Sequence, residues 1–177
     1  MRCVRFGEVC ADRIINHHAG PIGELGKTVE IDESKFGKMK YHRGCAIKGK
    51  SVFGGICRET NTCFLVRVEQ RDKDTLLPII PAQALPATRV MSDLWRAYNC
   101  LNDEGYDHLT VNHGTGAHTQ GTENTWRSIK RGSPQTGTSK EFFNGYLQDY
   151  MWCQHYKRDP FGNIIKHIAD LYGVHKD

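Results

Sequence analysis

The order of secondary-structure elements constrains this chain more than any single motif. Three short runs near the start read as strands: TVEIDES (28–34), SVFGGICR (51–58) and CFLVRVE (63–69). Short connections join them, so an antiparallel meander is expected. Helical and strand patterns then alternate. Residues 72–84 are helix-like, with Pro78 and Pro81 disturbing the end. Residues 88–92 form a short apolar strand of the kind buried in parallel sheets. LWRAYNCL (94–101) reads as a helix and HLTVN (108–112) as a fifth strand. A Gly/Thr/His loop follows, and Thr122 is placed to cap a helix starting at Glu123. Thr138 and Glu141 have capping-box spacing for another helix running to about Tyr156. A helix over 163–172 closes the chain, and 4–15 reads as a short helix at its start. The order β-β-β-α-β-α-β-α predicts an α/β, ribonuclease H-like (retroviral integrase-like) fold, a five-stranded mixed sheet flanked by helices. In that order the fourth strand lies beside the first.

The chain has 177 residues, enough for one domain with one sizeable core. No stretch approaches the roughly 20 apolar residues of a membrane span. The N-terminus lacks the apolar stretch of a signal peptide, which predicts a protein that is not secreted. The seven cysteines are scattered without a C-x-x-C pair, so neither a disulfide framework nor a zinc ribbon is indicated.

Charge is distributed unevenly. Between Lys35 and Lys50 the chain carries Lys35, Lys38, Lys40, Arg43, Lys48 and Lys50 and no acid. A second basic run, Arg127, Lys130 and Arg131, follows Glu123. Such patches attract phosphate backbones, although a short basic run is more often a solvated surface.

Three acids fall on three different elements. Asp32 lies in the first strand, Asp93 where the fourth strand passes into a helix, and Glu123 at the start of a later helix. The predicted topology makes Asp32 and Asp93 neighbours and brings the helix of Glu123 over them. Such a carboxylate cluster suits hard, oxygen-preferring cations. Taken singly, Asp32 is an ordinary strand residue, Asp93 a helix cap and Glu123 a first-turn acid favoured by the helix dipole. Glu30 shares the strand face of Asp32 and is a substitute ligand candidate. Trp95 and Trp126 are expected to pack in the core.

Several motifs carry a family likeness: VEIDESKFGK, KYHRG, VFGGICRET, TLLPII, SDLWRAYN, LNDEGYDHLTVNH, GAHT, the E-x-x-W of Glu123 and Trp126, and KEFFNGYL. Together they resemble the catalytic domain of Merlin-type DDE transposases and their ISXO-like insertion-sequence relatives, over about 26–156. The resemblance implies a catalytic and metal-binding triad of Asp32, Asp93 and Glu123, and two Mg²⁺ (or Mn²⁺) ions. It implies metal-dependent DNA strand cleavage and strand transfer in cut-and-paste transposition. Partners would be terminal-repeat and target DNA and other copies of the chain, with no membrane and no small-molecule cofactor. Lys35, Lys38, Lys40, Arg43, Lys48, Lys50, Arg127, Lys130 and Arg131 would grip phosphates without reading sequence. The expected compartment is the nucleus in a eukaryote and the cytoplasm in a bacterium. The expected organisation is an N-terminal helix and loop (1–26), the catalytic domain (27–158) and a C-terminal helix or tail (159–177).

Two departures point to a truncated copy or a derived gene. The chain has no room for the N-terminal DNA-binding module of its relatives. Asn112-His113 also reaches Gly116-Ala117-His118-Thr119 through only Gly114 and Thr115. The alternative function is therefore a catalytically inactive protein, transposase-derived, that binds nucleic acid or a partner.

Overall fold

The structure is a computed structural model that describes residues 20–37, 49–93, 96–111, 120–132 and 140–171. Its centre is one sheet of five strands: β1 (Thr28–Phe36), β2 (Lys50–Cys57), β3 (Cys63–Val68), β4 (Arg89–Ser92) and β5 (Asp107–Thr110). The spatial order is β3-β2-β1-β4-β5. β1, β2 and β3 pair antiparallel, while β4 and β5 add in parallel beyond β1. This is the expected ribonuclease H-like topology. β1 is two residues longer than expected because its ladder with β2 continues to Phe36 opposite Lys50.

Alternation along β1 assigns the two faces. Val29 and Ile31 point to one side and join a core with Phe53, Phe64, Val90, Tyr98 and Leu101. Two short helices, α1 (Lys73–Leu76) and α2 (Ile79–Gln83), supply Leu76 and Ile80 to this core. The single helix expected over 72–84 is split because Pro78 lacks an N–H and stands at the cap of α2. Asp72 caps α1, its carboxylate accepting the Thr75 N–H at 2.8 Å.

The other face carries Glu30, Asp32, Ser34 and Phe36. It is covered by α3 (Gln120–Gly132) and α4 (Lys140–His155), through a second core of Phe36, Val52, Leu65, Trp126, Ile129, Phe143 and Leu147. A last helix, α5 (Pro160–Leu171), packs on α4 through Trp152 and Ile164.

Four further expected elements differ. The described part of the helix after β4 is a 3-10 helix, Arg96–Asn102. Its buried residues, Tyr98 and Leu101, are three apart, so a three-residue turn stacks both on one side. α3 already includes Gln120, so Thr122 lies inside it rather than capping it. β5 starts at Asp107, aligned with Arg89, and stops at Thr110. α5 starts at Pro160 rather than Asn163, because Asp159 caps it by accepting the Gly162 N–H at 2.9 Å. The helix expected over 4–15 and Thr138 of the capping box lie outside the described residues.

Candidate active site

α3 runs along β1 with matching pitch. Two strand residues advance about 6.6 Å and four helical residues about 6 Å, so successive rungs can meet. The Thr122 N–H donates to Glu30 Oε2 at 3.1 Å, and the Trp126 indole Nε1–H donates to Asp32 Oδ2 at 2.9 Å. Four residues further along both the helix and the strand, the long side chain of Lys130 places its Nζ over the Phe36 ring at 5.4 Å. The helix approaches closely at its start: a Cβ on Gly121 would lie 2.9 Å from Glu30 Oε2. Closeness is again required under the indole. Gly54 pairs with Asp32, and a Cβ there would lie 2.7 Å from Trp126 Cη2.

Asp32 is half-buried. Its Oδ1 accepts the Glu33 N–H at 2.7 Å and its Oδ2 accepts Trp126. Each oxygen has one N–H donor, which fixes the carboxylate plane and leaves lone pairs for other partners. Burial pushes its pKa above the usual carboxylate range; the two hydrogen bonds oppose this, and the Glu33 and Asp93 charges add to it. Asp93 follows Ser92, the last residue of β4. Asp93 lies near enough to Asp32 for its charge to act on that carboxylate. Glu123 is exposed, one turn before Trp126. It shares with Asp32 an open cleft of about 600 Å³, also lined by Ser34, Trp126, Arg127, Lys130 and Arg131. Among the described residues, no three His, Cys, Asp or Glu side chains converge enough to form a metal site by themselves.

Other residues singled out from the sequence have distinct surroundings. Glu30 is 2% exposed and bonded to Arg58 Nε and to the start of α3, which occupies it structurally. Lys35 is exposed on β1. Lys50 stacks on the Phe143 ring at 4.8 Å, and burial pulls its pKa down, helped by the Arg67 charge. Lys38, Lys40, Arg43 and Lys48 lie outside the described residues, as does Trp95. Trp126 is indeed a core residue, at 6% exposure, but its indole N–H also serves Asp32. On the opposite face Glu33 binds Tyr98 Oη and, at 3.1 Å, Arg71 Nη2. Burial, the Glu33 hydrogen bond and the nearby acids Glu33, Asp93 and Asp32 push the Tyr98 hydroxyl well up.

The sequence reading gave no role to Gly54 or to the bond between Trp126 and Asp32. A glycine pair inside a strand was the available signal, since glycine there marks a close approach. It does not say which residue approaches.

The sheet order and the flanking helices define a ribonuclease H-like fold, the one retroviral integrase catalytic cores share. Residues 19–159 match the ISXO2-like transposase domain, and the chain belongs to that family. It is 32% identical over 95 residues to an uncharacterized transposase-like protein of Haemophilus influenzae, a match covering 50% of this chain and 77% of that protein. A chain of the simian T-cell lymphotropic virus intasome, solved in complex with PP2A regulatory subunit B56 gamma, shares the fold. The TM-score is 0.50 at 12% identity, covering 78% of this chain and 53% of that one, about half its length. The HTLV-2 integrase catalytic core domain, solved in complex with magnesium, superposes with a TM-score of 0.48 at 13% identity, covering 75% of this chain and 87% of that one.

Proposed function

We propose that this domain carries out DDE-type DNA strand cleavage and strand transfer in cut-and-paste transposition, of the Merlin-like kind, with Asp32, Asp93 and Glu123 as its carboxylates. The observation that carries the reading is the environment of Asp32. A half-buried carboxylate is held by two N–H donors and repelled by Glu33 and Asp93, in a cleft it shares with Glu123 and three basic side chains. Concentrated negative charge of this kind suits a divalent cation. The donors are all oxygens, and Mg²⁺ is commonly held by one or two carboxylates with water and substrate phosphate completing its shell. Asp32 and Asp93 would be the primary ligands, and Glu123 would have to come in from the α3 side of the cleft it shares with Asp32.

A bound divalent cation would polarise the phosphate and lower the pKa of water. The chain's own residues do the rest. Asp32 presents a fixed carboxylate to the cleft. Arg127, Lys130 and Arg131 line it on the α3 side and draw a phosphodiester backbone alongside the acids. Lys35, Lys38, Lys40, Arg43, Lys48 and Lys50 extend the grip along the DNA without reading bases. The unit that does this is 27–158, with 159–177 as a C-terminal addition.

The test is cleavage of terminal-repeat DNA by purified protein with Mg²⁺ or Mn²⁺. Nicking that disappears in Asp32→Ala, Asp93→Ala and Glu123→Ala is expected. Equal nicking by wild type and Asp32→Ala would remove the assignment. Salt-sensitive DNA binding without cleavage would select the inactive, transposase-derived binding protein instead.

A further inference from the structure

The indole of Trp126 is held from beneath, from its edge and at its N–H. Beneath it is Gly54, whose missing side chain leaves the ring its place. Phe36 meets it edge-on at 6.0 Å, and Phe36 is wedged in turn against Phe143 at 5.3 Å. Helix α3 fixes its backbone. The only polar atom of the side chain, Nε1–H, ends 2.9 Å from Asp32 Oδ2. A ring held this firmly aims its N–H at one spot. The same helix carries Glu123 three residues earlier, while the Glu30 to Thr122 bond secures the turn between them and the helix start.

We infer that Trp126 is a positioning residue: its indole N–H orients the Asp32 carboxylate and ties β1 to α3, so that Asp32 and Glu123 are set relative to one another by one rigid side chain. The inference rests on the transposase reading of the site. It assigns Trp126 no contact with DNA and no part in proton transfer. Partners of ligating carboxylates orient them, and their loss commonly lowers metal affinity or activity by about 10- to 100-fold.

Trp126→Phe keeps a ring over Gly54 and deletes the N–H. The expected result is Mn²⁺ binding about 10- to 100-fold weaker by titration calorimetry, and a comparable fall in kcat on terminal-repeat DNA. KM for DNA should be unchanged, because the basic residues remain. A merely structural role for Trp126 would lower the melting temperature and leave Mn²⁺ affinity of the folded protein at the wild-type value, which would overturn the inference.

A second measurement needs neither metal nor activity and does not require the variant at 126 to fold. The chain has Trp95, Trp126 and Trp152, so the Trp126 indole ¹H–¹⁵N resonance is assigned by elimination with Trp95→Phe and Trp152→Phe. It should move in Asp32→Asn; an unmoved resonance overturns the inference. The outcomes separate the two readings. Asp32→Ala that cleaves like wild type, or wild type that neither binds Mn²⁺ nor cleaves, removes the transposase reading, and the indole resonance alone then decides the positioning role. Asp32→Ala inactive beside a Trp126→Phe variant with wild-type Mn²⁺ affinity removes the positioning role alone.

Discussion

Replacing Gly54 with alanine tests how the sheet accommodates the site. The new methyl would lie 2.7 Å from Trp126 Cη2, 2.9 Å from Leu65 Cδ2 and 3.0 Å from Phe64 O. Ordinary carbon contacts lie at about 3.5–4.0 Å, so all three are too close. Leu65 can swing its terminus. Phe64 O belongs to the backbone of β3, paired with β2, and cannot yield. The indole can rise only by displacing Phe36, which is backed by Phe143, and by stretching the bond to Asp32. Gly54 is not in the left-handed region, so the backbone itself accepts alanine. The cost is steric, about 1–3 kcal/mol for overpacking. For a chain of this size that is a fall of roughly 2–12 °C in Tm. Gly145→Ala is the matched control. Gly145 lies inside α4 with open space around its Cβ position, and alanine there should add about 0.4–1 kcal/mol. Circular-dichroism melts of both variants decide the matter. A Gly54→Ala protein melting at or above wild type would refute the claim that the indole rests on the glycine.

Three further outcomes are expected. Asp32 has a raised pKa in the fold, so its contribution to stability is full below the unfolded value of 3.8 and is lost as pH rises through the folded value. At neutral pH the charge is therefore a cost, and Asp32→Asn should melt higher than wild type while losing any stabilisation by Mg²⁺; a lower melting temperature counts against this. Glu30→Ala strips the buried Thr122 N–H of its acceptor and should cost about 1–3 kcal/mol, read by chemical denaturation, with hydrogen exchange rising first at 120–126. Asp159→Ala removes the cap of α5 and should cost about 0.5–2 kcal/mol, with faster exchange confined to 160–171; uniform loss across the sheet would point elsewhere.

Local pattern carried the architecture because strand alternation, turn residues and helix caps are properties of neighbours in the chain. Hence five strands were legible, and chain connectivity put β4 beside β1. Boundaries were less legible where pairing sets them. β1 ends at Phe36 because Lys50 is opposite it, and β5 begins at Asp107 because Arg89 is. The helix after β4 has a helical sequence, but the packing of Tyr98 and Leu101 winds it as a 3-10 turn.

The sequence by itself determined which acids deserve notice, the order of the strands that carry two of them, and the family to which the chain belongs. Tertiary structure decided what surrounds those acids. Glu30 and Asp32 share a strand face, and nothing in their spacing distinguishes a structural carboxylate from a candidate ligand. The distinction comes from α3, some 90 residues away, which turns a backbone N–H to Glu30 and an indole N–H to Asp32. Glycine at position 54 became meaningful only once Trp126 was seen above it. Such contacts depend on how a helix lies across a sheet, a relation between distant segments that periodicity along the chain does not encode.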